Sequence, residues 1–169
     1  MKILVDADSC PRPTRETVLR ASVRTGIRVV FAANRPIPGI AGETAVMEIC
    51  PSGEDAADNR IVELARPGDL VLTRDIPLAG RLVEAAVFVM DDRGRVYTKE
   101  NIREQLSLRD FMLELADKGL GGDRRASYSR RELKIFADTF DRILSRLIRE
   151  EKNAAGQKDK GPDQFPVSG

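Results

Sequence analysis

The sequence begins with Met1-Lys2-Ile3-Leu4-Val5-Asp6-Ala7-Asp8, in which a short apolar run ends in two acidic residues. The same arrangement returns at Leu70-Val71-Leu72-Thr73-Arg74-Asp75. Short apolar runs of this kind are typical of strands buried in a parallel sheet. In an open α/β sheet, ligands collect beyond the carboxyl ends of the strands. We therefore expect the two acidic segments to lie close together in space.

Strands and helices alternate between and around these two segments. The predicted strands are residues 2–6, 27–33, 46–49, 70–73 and 87–90. The predicted helices are residues 14–25, about 54–65 and 77–85, and the first of them ends at Gly26. This alternation is the pattern of βαβ units, so the predicted fold class is α/β with a mainly parallel sheet and flanking helices.

The pattern changes after the fifth predicted strand and its turn at 91–94. Thr98 is a candidate N-cap for a helix that extends to residue 117. A loop is predicted over 118–128, and Ser129 and Glu132 then have the spacing of a capping box.

An amphipathic helix is predicted behind this capping box, because apolar residues recur at helical spacing up to Ile148. We expect its apolar stripe to pack on the domain, and a dimer seam is the alternative. The prediction is one domain over residues 1–150. The polar residues 151–169 are predicted to form a disordered tail.

Composition excludes much catalytic chemistry, because the 169 residues include no histidine and only two cysteines. Ser-His-Asp and Cys-His machinery is excluded, as are zinc sites that need histidine or four cysteines. We expect Cys10 to be a small buried apolar residue. Hard oxygen ligands remain, and these suit Mg²⁺ or Mn²⁺.

Nothing in the sequence predicts export or membrane insertion. The first residues lack the basic and long apolar segments of a signal peptide, and no apolar run approaches the roughly 18 residues of a membrane helix. We expect a cytoplasmic protein with reduced thiols and no membrane partner. The formal net charge is +1, and the sequence leaves the oligomeric state open.

Five aspartates are candidate metal ligands. Asp6 and Asp8 follow the first predicted strand, and Asp75 follows the fourth. Asp55 and Asp58 are three residues apart near a helix start, which places them on one side of a helical turn. All but Asp55 are also candidate catalytic residues. For Asp55, Asp58 and Asp75, helix capping and the helix dipole offer a purely structural explanation.

A cluster of carboxylates repels itself unless a cation or a proton neutralises it, so these residues predict a divalent-metal site. Metal ions held by aspartates activate water and stabilise charge on a phosphoryl group, which is the chemistry of phosphodiester hydrolysis. The candidate substrate-binding residues are Asn34, Asn59, Thr73, Arg74, Arg124 and Arg125. For the arginines, a solvated surface position is the alternative.

Several motifs resemble the YaiI/YqxD family of small uncharacterised bacterial proteins, in consistent order over about residues 1–148. The longest matching segments are residues 5–11, 55–62 and 69–79, which are VDADSCP, DAADNRIV and DLVLTRDIPLA. Shorter matches are Arg93-Gly94, Tyr97-Thr98, Asn101-Ile102, Arg109-Asp110 and Phe136-Ala137. The family usually has a pair such as Asn-Pro before Arg93, whereas this chain has Asp91-Asp92. These two carboxylates are either surface turn residues or additional charge near the site.

The resemblance implies a PIN-like fold, because that family resembles PIN-like nucleases. In those enzymes, acidic residues at the ends of the first and fourth strands and on an intervening helix bind Mg²⁺ or Mn²⁺ for RNA cleavage. Carried over by motif, these positions are Asp6, Asp58 and Asp75, with Asp8 close by. The resemblance thus implies a metal-dependent nuclease that acts on RNA.

Two other functions remain open. A haloacid-dehalogenase-like phosphatase would use Asp6 and Asp8 as nucleophile and acid/base, although such enzymes normally need a basic residue, usually a lysine, that has no good counterpart here. A non-catalytic module that binds RNA or a protein would use the aspartates only structurally. Loss of metal-dependent hydrolysis on changing Asp6 to Asn would separate these functions from the nuclease.

Overall fold

Six strands form one sheet with the order β3-β2-β1-β4-β5-β6 in a computed structural model that describes residues 1–53, 55–121 and 128–158. The strands are β1 (Ile3–Asp6), β2 (Val29–Ala33), β3 (Ala45–Ile49), β4 (Leu70–Leu72), β5 (Phe88–Met90) and β6 (Val96–Tyr97). The helices are α1 (Arg12–Thr25), α2 (Ala56–Leu64), α3 (Ile76–Glu84), α4 (Ile102–Asp117) and α5 (Arg130–Lys158). The predicted α/β class with a mostly parallel sheet is confirmed.

The strand order reverses direction between β1 and β4. Strands β1 to β5 pair in parallel, and β6 pairs antiparallel with β5. The chain runs outward from β1 through β2 to β3, and then returns to β4 on the other side of β1. This is the topological switch point, where the crevice beyond the strand ends is open to ligands. Asp6 is the last residue of β1, so the fold itself places a carboxylate at this crevice.

Helices cover both faces of the sheet, because each central strand is apolar on both sides. On β1, Ile3 and Val5 face the core that contains α1 and α5, whereas Leu4 faces the core of α2 and α3. Helix α4 packs against α3, and Gly80 of α3 lies beside Ile102 at the start of α4.

The apolar stripe of α5 packs on the sheet of its own chain, as expected. Phe136 and Phe140 are fully buried, with stacked rings whose centroids are 5.4 Å apart. The capping box is also confirmed, since the Ser129 amide donates to Glu132 Oε2 at 2.7 Å and the Glu132 amide donates to Ser129 Oγ at 3.2 Å.

Several boundaries differ from those predicted. The predictions missed β6, because two residues on an antiparallel edge give no periodic signal. Thr98 heads a turn closed by the Ile102 amide, and α4 begins only at Ile102, with Asn101 as its N-cap. Helix α5 extends to Lys158, further than the sequence indicated, and the rest of the predicted tail, 159–169, lies outside the described residues.

No helix in the described part of the chain combines the length and apolarity needed to cross a membrane.

The structure predicts effects of very different size on stability for two Phe→Ala substitutions on the two C-terminal helices. Phe140 on α5 is fully buried, whereas Phe111 on α4 is 55% exposed. Phe140→Ala should lower the free energy of unfolding by about 3–5 kcal/mol through lost burial and a cavity. Phe111→Ala should change it by less than roughly 0.5 kcal/mol. Urea unfolding measures both, and equal losses would contradict the packing of α5 described above.

Candidate active site

Asp6 lies at the centre of the crevice and is held by two hydroxyl groups. Its Oδ2 accepts hydrogen bonds from Ser9 Oγ at 2.8 Å and from Thr73 Oγ1 at 3.0 Å. Burial raises the pKa of Asp6, while these two hydrogen bonds lower it and the charges of Asp8 and Asp75 raise it further. The carboxylate is therefore fixed in position but poorly neutralised.

Thr73 links the ends of β1 and β4. Its hydroxyl donates to Asp6 and accepts from the backbone amide of Asp75 at 3.0 Å. Asp75 is the N-cap of α3, and its Oδ1 accepts from the Leu78 amide at 2.7 Å. Asp75 therefore has the capping role that the structural explanation assigns to it. The capping bond uses Oδ1 and leaves Oδ2 for another partner.

Asp8 extends the site toward β2. Its Oδ2 accepts from the backbone amide of Asn34, the residue after β2, at 2.8 Å. Asp8 is exposed, in contrast to the buried Asp6. The ends of three neighbouring strands are therefore tied together by side chains of the acidic segments.

Asp58 and Asp55 approach from helix α2. Asp55 precedes the helix with a left-handed backbone, φ 60°, a conformation that aspartate tolerates better than most residues. Asp58 lies in the first helical turn and is half-buried. Burial, followed by the charges of Asp75, Asp6 and Asp55, raises the pKa of Asp58 to about 6. This electrostatic coupling links all three elements in one acidic cluster.

Three of these carboxylates share one arrangement. Asp6, Asp8 and Asp75 each use one oxygen to accept hydrogen bonds from the protein. Within the residues that the structure describes, their other oxygens accept no hydrogen bond. Metal-binding carboxylates are commonly oriented in this way by hydrogen bonds to the rest of the protein.

A cleft of about 330 Å³ lies at the cluster. The residues that line it include Asp6, Asp8, Asn34, Asp55 and Asp58. Thr73, which donates to Asp6, and Asp75, whose amide donates to Thr73, adjoin the cleft without being part of its lining. The oxygen donors suit Mg²⁺ or Mn²⁺. Over 1–53, 55–121 and 128–158, however, no group of three or more acidic or cysteine side chains is close enough to hold an ion unaided.

Two predicted substrate-binding residues, Asn59 and Arg74, lie outside the lining of the cleft. Asn59 is exposed on α2 and is not among the residues that line the cleft. Arg74 shares a small cavity with Asp6 and forms a two-point ion pair with Asp92, in which Arg74 Nε lies 2.7 Å from Oδ1. Arg124 and Arg125 lie outside the described residues.

The acidic pair after β5 is buried rather than part of a surface turn. Asp91 Oδ1 accepts from the amides of Arg93 and Arg95, which closes the turn to β6. The Asp92 carbonyl oxygen accepts from the Tyr128 hydroxyl at 2.6 Å. The Asp92 side chain, through its pair with Arg74, fixes the segment that carries Thr73.

Sequence reasoning missed Ser9 and Arg81 as contributors to the site. Ser9 holds Asp6, and its position three residues after a strand-end aspartate was the available signal. The charge of Arg81, in the last turn of α3, lowers the pKa of Asp58 against the larger effects that raise it. No local sequence pattern indicates that contribution.

Cys10 is buried beside Asp6 and belongs to the core, as predicted. Burial and the charge of Asp92 raise the pKa of its thiol to about 12. The thiol is therefore protonated at neutral pH and is a poor nucleophile.

A second cavity, of about 510 Å³, lies far from the acidic cluster. It is mainly apolar and includes Phe88 at the start of β5 and Leu147 on α5. Since β5 runs parallel to β1, this cavity lies toward the amino ends of the strands. None of the described residues that line it is a carboxylate, so we place the candidate active site in the acidic cleft.

The strand order 3-2-1-4-5-6 is shared with dinucleotide-binding proteins, but the site differs from theirs. Those proteins have a glycine-rich turn after β1, which lets backbone amides approach a pyrophosphate. Here Ala7-Asp8-Ser9-Cys10-Pro11 follows β1, with no glycine and an added negative charge. The fold and the site therefore define an α/β protein with a carboxylate cluster at the switch point.

The chain belongs to the YaiI/YqxD family, described as uncharacterised, whose family model matches residues 4–146. A UPF0178 protein of Treponema pallidum is 46% identical over 149 residues, covering 88% of this chain and 84% of the relative. UPF0178 proteins of Myxococcus xanthus and Geobacter metallireducens are each 44% identical, covering 89% of this chain and 99% and 97% of those proteins. No solved structure matches the chain significantly.

The pKa of Asp58 predicts a pH-dependent stability. Because the folded-state value of about 6 exceeds the ordinary 3.8, the ionised carboxylate destabilises the fold. This effect is complete above pH 6, shrinks as the pH falls toward 3.8, and is absent below it. Asp58→Asn should therefore raise the urea midpoint at about pH 8 and have little effect at about pH 3.5.

Asp117→Asn, an exposed position at the end of α4, provides the matched control and should show no such pH dependence. An Asp58→Asn protein that is less stable than wild type at the higher pH would contradict the electrostatic description of the cluster.

Proposed function

We propose that this protein is a metal-dependent nuclease that hydrolyses phosphodiester bonds in RNA. The observation that carries the proposal is the convergence of Asp6, Asp58 and Asp75 at the switch point, with Asp8 beside them. Such a concentration of negative charge destabilises a fold, so we infer that it is retained to bind cations. The choice of RNA rests on the resemblance of the family to PIN-like nucleases.

The donors fit Mg²⁺ or Mn²⁺ if part of the coordination comes from the substrate. Mg²⁺ usually keeps several waters and is held by one or two carboxylates together with substrate phosphates. Asp6 and Asp8 present oriented oxygens beside the cleft and are the first candidates, with Asp58 and Asp75 adjoining. The bound ion would supply an activated water and stabilise charge on the phosphoryl group.

The protein's own contribution is to hold these carboxylates in place before the substrate arrives. Ser9 and Thr73 fix one oxygen of Asp6, and the first turn of α3 fixes one oxygen of Asp75. Each carboxylate therefore loses little freedom when it binds a cation. A cation would also favour the ionised form of Asp58, whose pKa of about 6 lies close to neutrality.

The proposal predicts that Asp6→Asn abolishes metal-dependent hydrolysis. Wild type should cleave a labelled single-stranded RNA when Mn²⁺ or Mg²⁺ is added and remain inactive with EDTA. Asp6→Asn should reduce the rate by at least about a hundredfold, which corresponds to roughly 2.7 kcal/mol of lost transition-state stabilisation. Gel analysis of the labelled products measures the rate.

Asp117→Asn, purified in the same way, controls for contaminating ribonucleases and for the chemistry of the substitution. Equal cleavage by Asp6→Asn and wild type would contradict the proposal. Hydrolysis of p-nitrophenyl phosphate but not of RNA would instead favour the phosphatase. RNA binding without any hydrolysis, retained in Asp6→Asn, would favour a non-catalytic module.

A further inference from the structure

A groove leads away from the acidic cleft along the beginning of α1. A depression of about 340 Å³ shares Asp8 with the cleft and is also lined by Arg15 and Arg35. A second depression, of about 370 Å³, shares Arg15 and Pro38 with the first and is also lined by Arg12. The three spaces are thus linked through shared walls, and we call the two depressions together the arginine groove.

The arginines of this groove differ in how they are held. Arg15 is half-buried, and its Nη1 donates to the carbonyl oxygen of Cys10. This bond fixes the guanidinium while leaving most of its five N–H donors for other partners. Arg12 forms an exposed ion pair with Glu16, with Nε and Oε1 2.7 Å apart.

Arg35 lies in the loop after β2 and forms no ion pair with any residue in the described part of the chain. The loop continues as Pro36-Ile37-Pro38, and the two prolines restrict its backbone. Glu16 offsets Arg12, and Asp8 offsets one further charge, so Arg15 and Arg35 leave the groove with a net formal charge of +1. These two arginines lie on the side of the groove that adjoins Asp8.

We propose that the arginine groove binds the phosphate backbone of a single-stranded nucleic acid and leads it to the acidic cleft. The inference rests on the proposed nuclease function, to which it adds the path of the substrate. Guanidinium groups bind phosphates through paired hydrogen bonds, and an anchored arginine such as Arg15 loses little freedom on doing so. The cation-binding carboxylates alone would repel a polyanion, so substrate capture requires positive charge nearby.

The groove is suited to backbone contacts rather than to base recognition. Among the residues that the structure describes, no aromatic side chain on which a base can stack lines either depression. The apolar contribution comes from Leu19, Ile37 and Ile40, which line its walls. Binding should therefore tolerate different sequences and weaken steeply with salt.

The test is fluorescence anisotropy of a labelled oligouridylate with the full chain in EDTA, where no metal-dependent cleavage occurs. Arg15→Gln/Arg35→Gln should weaken binding by at least roughly tenfold. It should also reduce the slope of log K against log salt by about 1.4, since each phosphate contact with a single strand contributes about 0.7. Circular dichroism and a thermal melt establish that the variant is folded.

Arg142→Gln/Arg149→Gln on α5 is the matched control, because it removes the same charge from exposed positions outside the groove. It should bind the oligonucleotide as wild type does. Equal weakening by both double variants would overturn the groove and indicate nonspecific charge attraction. Absence of binding by wild type, or preference for a duplex of the same length, would also overturn it.

The two measurements distinguish failure of the arginine groove from failure of the proposed nuclease function. Binding that depends on Arg15 and Arg35, without any cleavage on adding Mn²⁺, would support the groove and contradict the nuclease function. Asp6-dependent cleavage that is unaffected by the Arg15→Gln/Arg35→Gln change would support the nuclease function and contradict the groove.

Discussion

Electrostatic repulsion among the carboxylates at the carboxyl ends of β1 and β4 is the constraint on which the site depends. Asp6 is buried, and the charges of Asp8 and Asp75 add to the effect of burial on its pKa. The backbone topology causes this repulsion, because the reversal of strand order brings β1 and β4 side by side. The chain reduces the repulsion by hydrogen bonding, and no basic side chain within 1–53, 55–121 and 128–158 is bonded to Asp6.

The hydrogen bonds around Asp6 also explain why the site is rigid. Thr73 joins the end of β1 to the N-cap of α3, and Arg74 next to it is held by the buried Asp92. Tyr128, which precedes α5, bonds to the backbone of Asp92 and accepts from Thr14 on α1. The site is thus connected to both helices that cover one face of the sheet.

Much of the fold and the acidic core of the site could be predicted because the signals are local. A short apolar run that ends in aspartate identifies a strand and the position of its carboxyl end. The Ser129–Glu132 box and the N-cap at Asp75 depend on contacts within a few residues. The convergence of Asp6 and Asp75 follows from the βαβ pattern, since parallel strands bring their carboxyl ends to the same side.

The rest depends on contacts between segments far apart in sequence. The burial of Asp92 is determined by Arg74 and Tyr128, whose proximity no local pattern indicates. The arginine groove forms because the loop after β2 lies beside α1, so Arg15 and Arg35 meet only in the folded chain. The clustering of the acids itself was predictable, whereas the orientation in which Asp6 accepts both hydroxyl hydrogen bonds through Oδ2 was not.

The most direct test of the central claim is a Mn²⁺ titration followed by electron paramagnetic resonance. It would use wild type and Asp6→Asn, each alone and with an oligonucleotide whose backbone resists hydrolysis. If the acidic cluster binds metal, wild type should bind Mn²⁺, the oligonucleotide should tighten this binding, and Asp6→Asn should lose it. Equal binding by the two folded proteins, or no binding by wild type even with the oligonucleotide, would contradict the metal site.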